Sequence, residues 1–495
     1  MPYYVVGRDW PDNFYATNAK WPEPNQWTSL PEGRRKPFHA STEEVKRAVE
    51  LEKQEAARRE SQKLKKQLFA AIVQRDAEAV RRLVRRTPLL LQRHTNFGAT
   101  PLGLAAAVGD PAIVAFLLDE GCDVAEGDRV GATPLMMAAS RGHTQICQQL
   151  LGSKQGGNHG RAYLLHQATR RAGEVAAHAA AKGGHLDTLA ALLAAAAAAA
   201  GAAGAAAEAA GAAAEAAGAG AGPAGSVGPR GADVMDREGR DCFQMAAAND
   251  HPNVMSYLLQ NHGASAARAD SLGRTALMHA AAAGAVQAVQ LLLSLDPPLE
   301  LTQTDHQGYG PLHHACLGGS VEVVEALSQR GLALSPTDPG SLALLRLACK
   351  CGHEAVVDWM LRAGVGLREL VADGGGNPVF AAVRGGSSAV VDVLLAHGAR
   401  IDPRDTKGRT PLGVAAEAGD TAMCQHLVAA GADLLAADNH GRVPRRLAYQ
   451  ANQRDTAEAL SGMARLRLLV GDDAVDEQMY RELDEEAARR EAAAA

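Results

Sequence analysis

The sequence predicts an all-α solenoid, in which pairs of antiparallel helices repeat along the chain and stack on one another. A recurring start motif is the first observation: the Thr-Pro-Leu at Thr100 returns at Thr133 and Thr410, and weaker versions begin at 175, 241, 275, 310, 343, 377 and 443. Most of these starts are 33 to 35 residues apart, which is a period typical of repeat arrays. Aromatic residues make up only 4 % of the 495 residues, so Ala, Leu and Val must form the core, and these suit closely packed helices.

Each start is followed by two small residues, a Gly and a Leu-rich segment. Ala280 and Ala281, for example, precede Gly284, and Leu291 and Leu292 follow it. We expect the small residues to let the first helix of each unit approach its neighbours closely. The Gly ends that helix because it has no Cβ to oppose a left-handed turn. The Leu residues of the second helix then fill the space between adjacent units.

An Asp-x-x-Gly motif precedes most of the starts, and it predicts a tight, projecting hairpin that we call the finger turn. The Asp side chain can accept a hydrogen bond from its own backbone two residues on, and the Gly supplies a positive φ. The motif begins at Asp128, Asp236, Asp270, Asp305, Asp373, Asp405 and Asp438.

Together these motifs resemble the ankyrin-repeat family, whose units consist of a β-turn finger and two antiparallel helices. The clearest unit runs from Asp405 to Asp433 and contains both motifs and the small residues that follow them. The resemblance covers residues 66–460 and implies an ankyrin-type helix-turn-helix solenoid of about ten or eleven units. It also implies that partner proteins bind the concave face formed by the finger tips and the first helices. The units that start at 175 and 343 depart from the usual pattern.

Composition divides the chain into six segments. We expect an extended arm at 1–40, a charged helix at 41–65, a first repeat block (an N-terminal cap and three repeats) at 66–193, an Ala/Gly-rich insert at 194–232, a second block of about seven repeats at 233–460 and an acidic helical tail at 461–495. The insert has no Leu to fill a space between repeats, and each Gly costs about 1 kcal/mol in a helix interior. We therefore expect the insert to be a frayed helix and linker that separates two repeat blocks and adds little stability.

The arm is the first candidate binding segment, because it holds eight of the 19 aromatic residues together with six prolines. Prolines at this density exclude a stable helix or a central strand, and buried aromatic side chains are strong interface anchors. The arm either folds back onto its own solenoid or enters a groove on a partner; disorder is the third possibility. The candidate residues are Tyr3, Tyr4, Trp10, Phe14, Tyr15, Trp21 and Trp27.

The finger tips are the second candidate surface. The candidates there are Phe97, Arg129, Arg237, Leu272, His306, Tyr309, Lys407 and His440. Phe97, Leu272 and Tyr309 are apolar or aromatic at positions that normally favour polar residues. Packing against an adjacent finger is the alternative explanation for these three residues.

The sequence contains only weak matches to metal-binding, phosphate-binding and catalytic motifs. The histidines recur at repeat spacing, at His178, His279 and His313 and also just after the helix-ending Gly, so we expect them to tie neighbouring turns together by hydrogen bonds. A zinc site needs ligands that converge on one point, and Cys349-Lys350-Cys351 lacks a second cysteine pair. Gly374–Gly376 has no Lys-Ser/Thr after it, which excludes a phosphate loop. The sequence therefore predicts no metal, no cofactor, no small-molecule substrate and no enzymatic activity.

Net charge and cysteine content limit the classes of binding partner and the cellular locations that the sequence predicts. The net charge of −6 and the pI of about 6.3 disfavour binding to nucleic acid. Seven scattered cysteines and the absence of a secretory signal predict a reducing, cytoplasmic location, and the Ala-rich stretch at 189–207 is too weakly hydrophobic for a membrane span. The arm also suggests a ciliary or cytoskeletal setting.

The function that the sequence favours is a non-enzymatic protein-interaction scaffold, acting as a subunit of a large intracellular assembly. The alternative is a regulatory adaptor that recruits client proteins to a signalling or degradation enzyme. The sequence carries no appended module that distinguishes the two hypotheses.

Overall fold

The computed structural model describes residues 42–92, 94–95, 98–153, 161–170, 172–199, 234–296, 300–332, 334, 339–367 and 377–470. These residues are predominantly helical, and their only β pairing is an isolated antiparallel bridge between Ala269 and Thr275. The prediction of an all-α fold is thus confirmed. The chain divides into two compact units, Met1–Arg93 and His94–Ala495.

The N-terminal unit contains one long helix packed on a short one. The long helix spans Thr42–Val73 without interruption, so the structure shows no break near residue 65, where the sequence suggested a boundary. Ala77–Arg86 follows, with the Asp76 carboxylate accepting a hydrogen bond from the Ala79 N–H at 2.9 Å, and a 3-10 helix spans Pro88–Gln92. Buried side chains from both helices form the contact: Leu68, Ala71, Ile72, Val80 and Val84.

The second unit is a series of stacked helix pairs. Its first helices are Pro101–Val108, Pro134–Ala139, Ala176–Lys182, Cys242–Ala248, Ala276–Ala283, Pro311–Gly318, Pro339–Cys351, Pro378–Gly385, Pro411–Ala418 and Pro444–Gln450. Its second helices are Pro111–Asp119, Thr144–Gly152, 186–199, Pro252–His262, Val286–Leu293, Val321–Gln329, Glu354–Arg362, Ser388–Ala396, Thr421–Ala429 and Arg454–Val470. An additional short helix, Arg161–His166, lies in the enlarged connection before the third pair. First helices pack on first helices of the next unit, as the repeat predicts.

The core lies between the helix layers, and its composition follows the sequence pattern. In the fifth pair, Ala280 and Ala281 of the first helix and Leu292 of the second helix are all fully buried. Threonines cap several first helices: the Thr100 hydroxyl accepts from the Gly103 N–H at 2.9 Å, and a Pro follows at the first helical position. The small residues thus permit close helix packing, and the Leu residues fill the spaces between units.

One first helix begins earlier than its repeat register suggests. The motif spacing places a start near Ala343, whereas the helix spans Pro339–Cys351. No Thr-Pro pair is present at the expected position, and Pro339 is well suited to the first turn of a helix because its missing N–H would have no partner there.

The Ala/Gly-rich insert leaves the stack continuous. The helix before it extends to residue 199, and residues 200–233 lie outside the described part of the chain. On the two sides of this gap, Ala176–Lys182 packs directly on Cys242–Ala248. The His178 ring also donates from Nε2 to the Val234 carbonyl at 2.8 Å. The units before and after the insert therefore stack as immediate neighbours.

Candidate functional site: the row of finger turns

Each finger turn is closed by its own first residue. In the turn at Asp405, the carboxylate Oδ1 accepts from the backbone N–H groups of Lys407 and Arg409 at 2.9 and 2.8 Å. The Asp405 N–H donates to the Arg409 carbonyl at 3.0 Å, and the Gly408 N–H donates back to the Asp405 carbonyl at 2.9 Å. The same bonds close the turns at Asp128, Asp236, Asp270, Asp305 and Asp438, while Asp373 lies outside the described residues. The turn is therefore a rigid local unit that needs little support from elsewhere.

An arginine at the fifth position secures most of these turns. Arg409 donates from Nε to Asp405 Oδ2 at 2.9 Å, and Arg240, Arg274 and Arg442 make the same bond to the Asp of their own turns. Burial by itself raises the pKa of Asp270, but hydrogen bonds from the backbone and from Arg274 outweigh it, so the pKa is lowered. The pKa of Asp438 is lowered in the same way. These carboxylates stay charged at neutral pH.

Tyr309 occupies the fifth position of the turn at Asp305, where other turns have arginine. His314 takes over the arginine's role, and its Nε2 lies 3.0 Å from Asp305 Oδ2. The Tyr309 ring stacks on His313 with ring centres 5.3 Å apart. Tyr309 is thus half-buried at the base of the turn rather than at its tip.

Neighbouring finger turns are joined by backbone hydrogen bonds. The residue at the second position of one turn donates its N–H to the carbonyl just before the Gly of the preceding turn. The bonds are Arg170 to Val130 at 2.8 Å, Arg237 to Ala172 at 2.9 Å, Ser271 to Glu238 at 2.9 Å, His306 to Leu272 at 2.9 Å and Asn439 to Lys407 at 3.0 Å. The Arg237 bond crosses the insert, so the turns from Asp128 to Asp305 form one continuous row.

Glycine is required in this row for two reasons. Gly239 has a φ of +76°, which L residues with a side chain rarely adopt. A Cβ at Gly239 would also lie 2.8 Å from the backbone nitrogen of Ser271 in the next turn. The Gly at the fourth position therefore allows the turn to form and allows the next finger turn to pack closely against it.

The described finger-tip candidates other than Tyr309 occupy either the second or the third position of their turns. Arg129, Arg237 and His306 occupy the second position and lie against the preceding turn. Leu272, Lys407 and His440 occupy the third position and are exposed at the tip, with Leu272 48 % exposed. Phe97 lies outside the described residues, as do the arm residues Tyr3, Tyr4, Trp10, Phe14, Tyr15, Trp21 and Trp27.

Among the turns that the structure describes, two lack the Asp-x-x-Gly motif because threonine replaces the aspartate. The Thr95 hydroxyl accepts from the Ala99 N–H at 2.9 Å, and the Thr169 hydroxyl accepts from the Glu174 N–H at 3.1 Å. The Thr169 turn is also one residue longer before its Gly173. Both turns can be found in the sequence if Thr is allowed at the first position and the helix starts six or seven residues later. This wider motif places Arg170 at the second position of its turn.

Five of the recurring histidines tie units together, as the sequence predicts. His143, His185, His251 and His353 each donate from Nε2 to a backbone carbonyl of the preceding unit, at 3.2, 3.2, 3.1 and 2.8 Å. His178 is fully buried, and burial lowers its pKa. These five rings are therefore structural groups between neighbouring units. The prediction is wrong for His279, whose Nε2 lies 3.0 Å from Asp270 Oδ2, and for His313, whose Nδ1 accepts from the Gly310 N–H at 3.2 Å, because both bonds stay within one unit.

Other reactive groups are sparse in the part of the chain that the structure describes. Those residues contain no group of three or more His, Cys, Asp or Glu side chains placed to hold a metal ion. Six of the seven cysteines are buried, including Cys349, and burial raises the Cys349 pKa to about 12. None of the described helices combines the length and apolar character needed to cross a membrane.

Helix pairs, finger turns and the hydrogen bonds between them define a repeat solenoid. The chain belongs to the ankyrin-repeat family: the model described as "Ankyrin repeats (3 copies)" matches residues 68–161, 121–203, 226–305, 345–438 and 379–463, more than half of the chain. Ankyrin repeats indicate a protein–protein interaction domain, and the fold is generally non-enzymatic.

Similar proteins share segments of the array. Ankyrin repeat protein nuc-2 of Neurospora crassa is 32 % identical over 172 residues, which is 34 % of this chain and 16 % of that protein. E3 ubiquitin-protein ligase XBAT33 of Arabidopsis thaliana is 35 % identical over 106 residues, 21 % of this chain and 19 % of that protein. The chain thus spans less than a fifth of these relatives. The human ASB11 ankyrin repeat domain aligns at 24 % identity with a TM-score of 0.39, over 45 % of this chain and 98 % of that domain.

Proposed function

We propose that this chain is a non-enzymatic scaffold that holds other proteins on its row of finger turns, as a subunit of a larger intracellular assembly. One observation carries the proposal: successive turns are rigid, bonded to one another and chemically different at their exposed third positions. Val130, Leu272, Gln307, Lys407 and His440 are all exposed there. A preorganised surface of this kind loses little side-chain and backbone freedom on binding. No nucleic acid, small-molecule substrate or cofactor is part of the proposal.

The test compares two variants of the full chain expressed in its source cells. The tip variant changes Val130, Leu272, Gln307, Lys407 and His440 to Ser. The control variant changes five exposed residues of the second helices to Ser, namely Gln145, Asn253, Gln287, Gln290 and Gln425. Quantitative mass spectrometry of co-purified proteins should show partners lost from the tip variant and retained by the control. Equal retention by both variants contradicts the proposal.

The N-terminal arm is the second part of the proposal. Its aromatic residues give it the composition of an anchor, and its position outside the repeats makes it available to fix the scaffold in an assembly. A chain that lacks residues 1–40 should lose stable incorporation into the assembly while it keeps partners bound to the finger turns. Unchanged incorporation would remove the arm from the proposal. A fluorescent fusion of the intact chain tests the proposed cytoplasmic, ciliary or cytoskeletal location in the same cells.

A regulatory adaptor is the second candidate function. The similarity to an Arabidopsis protein named as an E3 ubiquitin-protein ligase favours it, although the shared segment is only 21 % of this chain. An adaptor should co-purify with a ubiquitin ligase or a kinase in amounts that depend on the presence of a client. A scaffold subunit should co-purify with a fixed set of partners in constant ratio.

A further inference from the structure

Three successive finger turns present an arginine at the same position. Arg129, Arg170 and Arg237 all occupy the second position of their turns and are exposed. Arg170 and Arg237 lie on opposite sides of residues 200–233 in the sequence. Their turns are nevertheless neighbours, because the Arg237 N–H donates to the Ala172 carbonyl at 2.9 Å. We call these three residues the arginine row.

The three side chains begin in the same direction. A Cβ built on the Gly of the preceding turn would lie 2.5 Å from Arg129 Cγ, 2.9 Å from Arg170 Cγ and 2.8 Å from Arg237 Cγ. Each aliphatic stem therefore lies over the Gly of the turn before it. The repeated placement puts the three arginine stems in one line along the turns.

Charge along this line is not neutralised within the described residues. No ion pair joins the arginine row to a carboxylate there, whereas the fifth-position arginines such as Arg240 are paired with the Asp of their own turn. Glu238, the acidic residue beside Arg237, instead pairs with Arg240 and Arg274 at 3.2 and 3.6 Å. The arginines of the row are confined to this part of the array, since the later second positions hold other residues: Ser271, His306, Thr406 and Asn439.

We propose that the arginine row binds an acidic peptide segment of a partner protein, laid along the turns. Guanidinium groups bind carboxylates through paired hydrogen bonds, and a line of them matches carboxylates spaced along an extended peptide. Val130 and Met235 are 51 % and 46 % exposed beside the row, which suits a segment with apolar residues among the acidic ones. The chain's net charge of −6 disfavours a long polyanion such as nucleic acid. This inference rests on the proposed scaffold function and names the chemistry of its partner.

The test measures binding of a fluorescent oligo-glutamate peptide to the full chain by anisotropy. Changing Arg129, Arg170 and Arg237 together to Gln keeps much of each aliphatic stem and removes the charge. Each lost charge should weaken binding roughly twofold to fivefold, and the triple variant by about tenfold or more. The triple Lys variant should bind more weakly than the wild type and more tightly than the Gln variant, because it keeps the charge and loses the paired hydrogen bonds. Added salt should weaken binding to the wild-type chain.

The control variant changes three exposed arginines elsewhere in the array to Gln, namely Arg330, Arg400 and Arg454, which alters the net charge by the same amount. It should bind the peptide as the wild type does. Equal weakening in both triple variants would show a general charge effect and overturn the proposal. Tighter binding of an oligo-uridine than of oligo-glutamate would also overturn it in favour of nucleic acid.

Two further outcomes separate this inference from the scaffold function. If the peptide binds only after residues 471–495 are removed, the row's occupant is the chain's own acidic tail and the proposal of a partner segment is wrong. If the triple Gln variant keeps every co-purified partner that the tip variant loses, the scaffold function stands and the arginine row has no part in it.

Discussion

His178 shows how one ring joins two units at the residue scale. Its Nδ1 accepts from the Val175 N–H at 3.2 Å, and its Nε2 donates to the Val234 carbonyl at 2.8 Å. Gln244 makes equivalent bonds in the next unit: its Oε1 accepts from the Asp241 N–H at 3.1 Å, and its Nε2 donates to the Arg268 carbonyl at 2.9 Å. The ring must be neutral to accept at Nδ1, so protonation would break one of its two bonds.

A pH dependence of stability follows from this geometry. Burial lowers the pKa of folded His178 below its ordinary value of 6.5. As pH falls below about 6.5, the unfolded chain takes up a proton that the folded chain does not, so stability falls with pH. His178→Gln should unfold in urea like the wild type at pH 8 and lose less stability as the pH is lowered through the range where free histidine titrates. Identical pH dependence in the two proteins would contradict this role of His178.

Gly239 allows backbone strain to be separated from close approach. Gly263 has a similar φ of +63°, but a Cβ there would meet nothing within 4 Å. Gly263→Ala should therefore cost only the left-handed strain, about 1–2 kcal/mol. Gly239→Ala should cost more, because the bond from Ser271 to Glu238 must also be disturbed, which adds about 1 kcal/mol. Urea unfolding of both variants checks the difference, and equal losses would mean that the contact between turns contributes nothing.

Sequence patterns predict the residues that act within one turn better than those that act between turns. The Asp and Gly of each motif bond to neighbours close in sequence, so their roles can be inferred from spacing. The second-position residues bond to a different turn, which spacing alone does not reveal. Spacing places Tyr309 at a tip for the same reason, since its stacking on His313 and the substitute role of His314 depend on the folded unit.

At the element scale, helix pairs are predictable because small residues, Gly and Leu recur in a fixed order. The start of the helix Pro339–Cys351 cannot be predicted in this way, because its unit lacks the Thr-Pro pair and the helix begins at a Pro upstream of the expected start. Packing across the insert cannot be predicted from the sequence either. The hydrogen bond from the Arg237 N–H to the Ala172 carbonyl forms only because the units on the two sides of the insert stack. Long connections are tolerated in such a stack because loop-closure cost grows slowly with length.

Replacing residues 200–229 with a short Gly/Ser linker tests that packing. The bonds from His178 to Val234 and from Arg237 to Ala172 lie outside the replaced segment, so the units should remain stacked. We expect the urea midpoint and the helical circular dichroism per residue of the array to change little. A large loss of stability would show that the insert packs as part of the array.

At the scale of the whole molecule, the unit His94–Ala495 presents its exposed tip residues along a row of turns. The family is predictable from the repeat, whereas the sequence does not identify the partner because tip residues differ from turn to turn. What the structure adds is the bonding between turns, which joins the exposed side chains from the Asp128 turn to the Asp305 turn into one continuous surface and pairs the Asp405 turn with the Asp438 turn.

Hydrogen–deuterium exchange on the chain, alone and with a co-purified partner, tests that surface most directly. Our account predicts slower exchange on partner binding in the finger-turn segments 128–131, 236–239, 270–273, 305–308 and 405–408, with the second helices unchanged. Protection confined to the second helices, with the finger turns unchanged, would contradict the claim that partners bind the row of finger turns.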